Sequence, residues 1–171
     1  NYGFVGSVSM VSGNQLPASV NNLFIYKTGS ADCSLSQPLS VNGTLTLNTG
    51  KIISSSGNLL TCSSTSTVTG VNHGSFVSGP VKKTGNTAFI FPVGKTTYYR
   101  PIEISAPTNT TDEFTAEYFL SDPDALYDVT QYENNIKHIS RSEYWILDRT
   151  AGTPDVNVTL SWNSVSGGIT D

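Results

Sequence analysis

Three segments of this chain repeat one short pattern: QLPASVNNLFIYKTG (Gln15 to Gly29), QPLSVNGTLTLNTG (Gln37 to Gly50) and NLLTCSSTSTVTG (Asn58 to Gly70). Val20, Val41 and Cys62 occupy their centres at intervals of 21 residues, and the closing glycines Gly29, Gly50 and Gly70 keep almost the same interval. A self-similar period of about 20 residues built from β-type runs is the mark of a stacked β-solenoid. Each coil of such a fold buries its apolar residues only against the coils above and below it. The repeat therefore predicts a short parallel β-solenoid of about three rungs, read as the last part of a longer stalk.

Within one copy, Leu39 and Val41 alternate with Ser40, and Leu45 and Leu47 alternate with Thr44 and Thr46. A period of two puts the aliphatic residues on one face and the hydroxyls on the other. Asn42-Gly43 separates the two runs, and Asn21-Asn22 and Ser63-Ser64 hold its place in the other copies. Asn-Gly offers the left-handed backbone that lets a chain turn a corner. Taken alone, it would also fit a tight antiparallel hairpin. Recurrence at a fixed period favours the solenoid.

After Gly70 the repeat decays, and Lys82-Lys83-Thr84-Gly85-Asn86 reads as a polar turn. The sequence thus divides into a solenoid segment, residues 1–84, and a second region, residues 85–171, richer in aromatics. Expected strands there are 88–93, 99–105, 114–120, 143–148 and 156–162, an all-β pattern that suggests an antiparallel β-sandwich. Five strands are few for a sandwich, so the domain is expected to be incomplete at its C-terminal end. One helical turn is expected over residues 124–132, where Asp122 can cap and Pro123 can open it.

Charged residues make up only 13% of the 171 residues, and Ser, Thr, Asn and Gly supply the polar surface instead. A net charge of −4 with 9 scattered basic residues argues against nucleic-acid binding, which needs clustered Lys and Arg. No apolar run approaches the ~18 residues of a membrane span, and the N-terminal residues lack the layout of a signal peptide. A secretion signal, if the protein uses one, is expected outside this sequence.

Motifs for nucleophilic, zinc-dependent or nucleotide chemistry are absent: there is no GxSxG, HExxH, Walker loop or GxGxxG. His73 sits in a turn triplet and His138 lies beside Lys137, so both are read as surface residues. Asp122, Asp124 and Asp128 lie on one loop and could furnish the oxygen ligands that calcium prefers, but the loop lacks the usual glycine and Pro123 stiffens it, so helix capping and a solvated acidic loop are the default reading. Glu103 and Glu117 could oppose each other as glycosidase acids, but their alternating strand contexts place them outward in solvent. No cofactor other than calcium is suggested.

Aromatic residues allow two readings, core or contact surface. Trp145 and Phe119 are assigned to the core, Tyr98 and Tyr127 to a surface able to contact a ligand such as a sugar ring. Cys33 and Cys62 could pair across neighbouring rungs. Alternatively, Cys62 is simply the small buried residue that replaces the valine of the other copies.

Several segments together resemble modules of the very long surface and secreted proteins that Bacteroidota export through the type IX secretion system. They are SVNGTLTLNTGKI (Ser40 to Ile52), FVSGPVKKTGN (Phe76 to Asn86), FIFPVGK (Phe89 to Lys95), YRPIEIS (Tyr99 to Ser105), FTAEYFLSDP (Phe114 to Pro123) and EYWILDRTAGTPDVNVTLSW (Glu143 to Trp162). The resemblance implies a non-catalytic, adhesin-like module at the bacterial cell surface or in the secreted fraction. Its partners would be neighbouring domains of the same long chain, glycans or other surface subunits. Two further roles fit it: a carbohydrate-binding accessory domain of a polysaccharide-degrading enzyme, or a subunit of an extracellular filament. Relatives would carry cysteines near Ser142 and Gly167, so a disulfide of theirs is missing here.

Overall fold

Alternation of aliphatic and hydroxyl residues governs the first half of the molecule. A computed structural model describes residues 1–131, 133, 136, 139–163 and 166. The chain winds first through four parallel turns, each of three short strands. They are β1 (Tyr2–Gly6), β2 (Met10–Val11) and β3 (Ser19–Val20), then β4 (Leu23–Lys27), β5 (Cys33–Ser34) and β6 (Leu39–Val41). The third turn is β7 (Thr44–Thr49), β8 (Ile52–Ile53) and β9 (Leu60–Cys62), and the fourth is β10 (Thr67–Thr69), β11 (Val77–Ser78) and β12 (Val81–Thr84). Strands of equal rank stack in parallel into three sheets.

The solenoid thus has four turns where the repeat suggested about three. Each repeat copy straddles a corner, running from the third strand of one turn into the first strand of the next. Three corners join four turns. The hairpin reading of Asn42-Gly43 fails for the same reason, because β6 and β7 on either side of it belong to different sheets.

Register stacks like on like inside the coil. Leu23 pairs with Leu45 and Leu45 with Val68, Ile25 with Leu47, and Leu39 with Leu60 and then Val81. Nearly all of these side chains are fully buried, and each such aliphatic burial contributes roughly 1.5–3 kcal/mol. Gly43 serves the corner differently from the expectation. It does not adopt positive φ; a Cβ there would lie 2.5 Å from Asn22 Oδ1 and 2.8 Å from Asn21 O, so close stacking of corners demands it. The left-handed bend falls instead at the closing glycine, as at Gly50 with φ +78°.

Val20, Val41 and Cys62 form another interior ladder, and its next member is Lys83. This lysine is buried at the last parallel turn, where its Nζ donates to Ser63 O at 2.6 Å and Ser64 O at 3.2 Å and lies 5.0 Å from the Phe89 ring centre. Burial lowers its pKa.

Beyond β12 come β13 (Phe89–Phe91), β14 (Gly94–Lys95), β15 (Tyr98–Tyr99), β16 (Ile102–Ile104), β17 (Glu113–Phe119), β18 (Tyr144–Ala151) and β19 (Val158–Leu160). All their pairings are antiparallel except an isolated parallel bridge from Val77 to Val93. β17 adds to β12 and β18 to β17, so the third solenoid sheet continues to six strands; β13, β16 and β19 form a separate sheet, and β14 with β15 a short pair. One hydrophobic cluster runs through the whole, from Leu23 and Leu45 to Phe91, Ile104 and Tyr118. Of the expected helical turn only a 3-10 turn, Pro123–Ala125, is seen, capped by Asp122; Tyr132 lies outside the described residues. Among the described residues no helix is long and apolar enough to cross a membrane.

Candidate ligand-contact face

The continuous six-stranded sheet carries one row of outward side chains across every strand. In register they are Ser19, Ser40, Thr61, Lys82, Thr115 and Asp148. The row carries hydroxyls on β3, β6, β9 and β17 and charges on β12 and β18. Within β17, Phe114, Ala116 and Tyr118 are buried, which turns Thr115, Glu117 and Phe119 to the opposite, outer face. On β18 their partners are Asp148, Ile146 and Tyr144.

Those three outward pairs create two adjoining features. At one end Phe119 and Tyr144 stack with ring centres 4.7 Å apart and planes 6° from parallel, and Tyr127 meets Tyr144 edge-on at 6.2 Å. Phe119 and Tyr144 are half-buried, and Tyr127 is 53% exposed. Next to them lies a shallow groove of about 340 Å³ lined by Pro80, Lys82, Thr115, Glu117, Ile146 and Asp148, among others.

The charges of the groove are unevenly satisfied. Lys82 donates to Glu113 at 2.7 Å, which neutralises its ammonium. Glu117 and Asp148 make no salt bridge among the described residues. Burial raises the Glu117 pKa, against a smaller opposing pull from Lys95. Thr115 lines the groove, but its Oγ1 is buried and without a hydrogen-bond partner among the described residues.

Behind the aromatic end sits a buried polar cluster that the sequence did not announce. Arg100 grips Glu143 through both Nε, at 2.8 Å, and a terminal nitrogen; Tyr118 OH donates to Glu143 Oε2 at 2.5 Å, and Arg100 also donates to Ser166 Oγ. Trp145 Nε1 donates to Arg100 O at 3.0 Å. Burial alone would raise the Glu143 pKa, but hydrogen bonds from Arg100, Ser166 and Tyr118 hold it below the usual carboxylate range. Tyr118 is pushed up by burial and by the Glu143 carboxylate. Glu143 and Trp145 flank Tyr144, and Tyr118 precedes Phe119, so the cluster fixes the strands that carry the stacked rings. The only sequence signal for it is charge scarcity, which makes each ionised residue inside a strand-rich segment worth tracing.

Of the residues singled out from sequence, Tyr127 belongs to this face. Phe119 is corrected from core to outer face, because it falls on the alternate phase from buried Tyr118; Trp145 packs against the core. Tyr98 is half-buried in the β14–β15 pair opposite Lys95 and makes none of the ring contacts around Tyr127. Glu103 is exposed on β16. His73 Nδ1 accepts from Tyr99 N at 3.2 Å, tying its turn to β15, and His138 lies outside the described residues.

The carboxylates of Asp122, Asp124 and Asp128, expected as calcium ligands, are engaged with neighbouring side chains. Arg141 donates to Asp122 at 2.9 Å and to Asp124 at 2.7 Å, filling the loop with a guanidinium, while Asp128 accepts from Thr130 N and Oγ1 at 3.0 and 2.6 Å. Among the described residues no three His, Cys, Asp or Glu side chains converge on a metal position. The disulfide alternative is corrected. Cys33 and Cys62 are free thiols in different sheets, Cys33 laddered with Ile52 and Cys62 with Val41. Burial raises both to about 11, as expected for small interior residues. No protein family, curated protein or solved structure matches this chain.

Proposed function

We propose that the chain is a non-catalytic structural and adhesive module of a large extracellular bacterial surface protein. The observation that carries this reading is the six-stranded sheet: four solenoid turns feed directly into β17 and β18, giving one face that continues from the parallel turns into the antiparallel strands. Such a face resists bending through backbone ladders and offers hydroxyl, carboxylate and aromatic groups at fixed spacing. The resemblance to modules exported by the type IX system agrees with a location outside the cell. We read the antiparallel strands as a sandwich-like cap, because β17 covers the edge that β12 would otherwise present to other chains.

Two measurements test the reading. Antibodies raised against residues 1–171 are expected to label intact producing cells; labelling only after permeabilisation would overturn the extracellular assignment. Beads coated with the full chain are expected to attach under flow to surfaces bearing cell-wall or extracellular material, whereas beads coated with an unrelated acidic protein are not. Equal attachment of the two would overturn the adhesive role. The cap is tested by a chain ending at residue 86, expected to aggregate through the bared β12; a soluble monomer would refute the cap.

A further inference from the structure

The geometry points to a saccharide-binding site on the outer face of β17 and β18, with neutral polysaccharide as its ligand. This rests on the adhesive reading and names the chemistry of the contact. Two half-buried rings, Phe119 and Tyr144, and the exposed ring of Tyr127 stand at one end of the strip. Sugar rings have apolar C–H faces that pack on aromatic rings, while their hydroxyls demand hydrogen-bond acceptors alongside. The next outward pair beyond the stacked rings is Glu117 with Ile146, and the one after it Thr115 with Asp148. Successive pairs are about 6.6 Å apart along a strand, so the rings and both carboxylates lie along roughly 13 Å of surface.

Charge selects among ligands. Lys82 is already held by Glu113, so among the described residues the charges left without a salt bridge in the groove are the carboxylates Glu117 and Asp148. Carboxylates only accept, and paired hydroxyls of a neutral sugar donate to them well. A polyuronate or sulfated glycan would meet like charge across the same groove. Shallow form suits a long chain laid along the strip better than a small molecule, which needs enclosure. Arg100, Glu143 and Tyr118 hold the two strands from behind, so the rings are positioned before the ligand arrives.

Affinity electrophoresis of the full chain tests the assignment, with native gels containing hydroxyethylcellulose, mixed-linkage β-glucan or galactomannan and parallel gels containing alginate. Retardation is expected in at least one neutral gel and none in alginate. Tyr127→Ala, at an exposed position, and Asp148→Asn are each expected to weaken retardation about tenfold. Tyr98→Ala is expected to leave it unchanged. Migration unaffected by every neutral polysaccharide, retardation by alginate alone, or binding that survives Tyr127→Ala together with Asp148→Asn would overturn the site. Bead attachment separates the two levels of the argument: beads that adhere while no glycan binds defeat the saccharide assignment and leave the adhesive role standing.

Discussion

The parallel turns and the antiparallel strands that follow them solve the same problem, burial of a strand face, by opposite means. In the turns most interior residues meet another small or aliphatic residue one coil away, as Leu23 meets Leu45 and Val20 meets Val41, and Lys83 at the last turn is the exception. In the antiparallel part unlike residues meet, and the core includes the buried ion pair Arg100–Glu143, whose side chains are each only 2% exposed. Repetition needs no charge to set register, because a slipped rung would break a periodic ladder. A non-repeating sheet needs some other specifier, and a buried polar cluster with its hydrogen bonds satisfied can supply it.

The largest effect is therefore expected at that ion pair. Glu143→Ala leaves a guanidinium buried without its partner, a loss of about 3–5 kcal/mol in urea unfolding. A loss below about 1 kcal/mol would break the comparison, since apolar packing would then hold both parts. The pair also gives the antiparallel part an acid limit. Glu143 has a folded pKa below its unfolded value near 4.5, so its contribution is present above that value and is lost as pH falls through the lower folded one. Glu117 has the reverse sign: its raised pKa makes the charged form mildly unfavourable in the fold, so protonating it offsets a little of the loss. An acid unfolding transition unchanged in Glu143→Gln would remove Glu143 as its cause.

In the turns, Leu45→Ala should cost about 3 kcal/mol, within the range for truncating a buried leucine. Leu45 is fully buried and laddered between Leu23 and Val68. Comparing this loss with that of Glu143→Ala sharpens the contrast: the two should differ in pH dependence, the leucine variant losing the same amount at pH 4 and pH 7. A leucine deficit that grows in acid would mean the two parts are not held independently.

How much of this could be read from the residues follows the same divide. The solenoid was legible because its signal is repetition, and Val20, Val41 and Cys62 could be aligned without knowing any long-range partner. The count of turns was missed because the conserved spelling lies at the corners, not on the turns. In the antiparallel part, strand positions near Phe114 and Tyr144 were visible as alternation, but alternation does not say which phase faces inward. Phe119 was placed in the core for that reason. The contact of Arg100 with Glu143 spans 43 residues and leaves no local pattern at all. In the acidic loop, the partner of Asp122 and Asp124 was not legible because Arg141 lies 17 residues beyond Asp124.

A smaller effect tests the corners. Gly50 has φ +78°, and a Cβ there would lie 2.4 Å from Lys27 Cβ and 2.6 Å from Ala31 O. Gly50→Ala should cost about 1–3 kcal/mol by strain and displacement. Thermal unfolding of the variant at the wild-type midpoint would show the corner to be softer than the ladder argument allows.

The least effect is expected where the repeat restores itself. Cys62 stands in the ladder of Val20 and Val41, next to Lys83, and is fully buried. Cys62→Val replaces a small interior thiol by the residue the other turns use, adding about one methyl group where the ladder already accommodates valine, and should change stability by less than about 1 kcal/mol. It also removes the contact that Ser66 makes with the thiol, a weak one because sulfur is a poor hydrogen-bond partner. Stability equal to wild type, with and without reductant, is the expected urea result. A large loss would mean that position 62 is set by its polar neighbours, as positions in the antiparallel part are, and that the ladder principle stops one turn earlier than the parallel strands do.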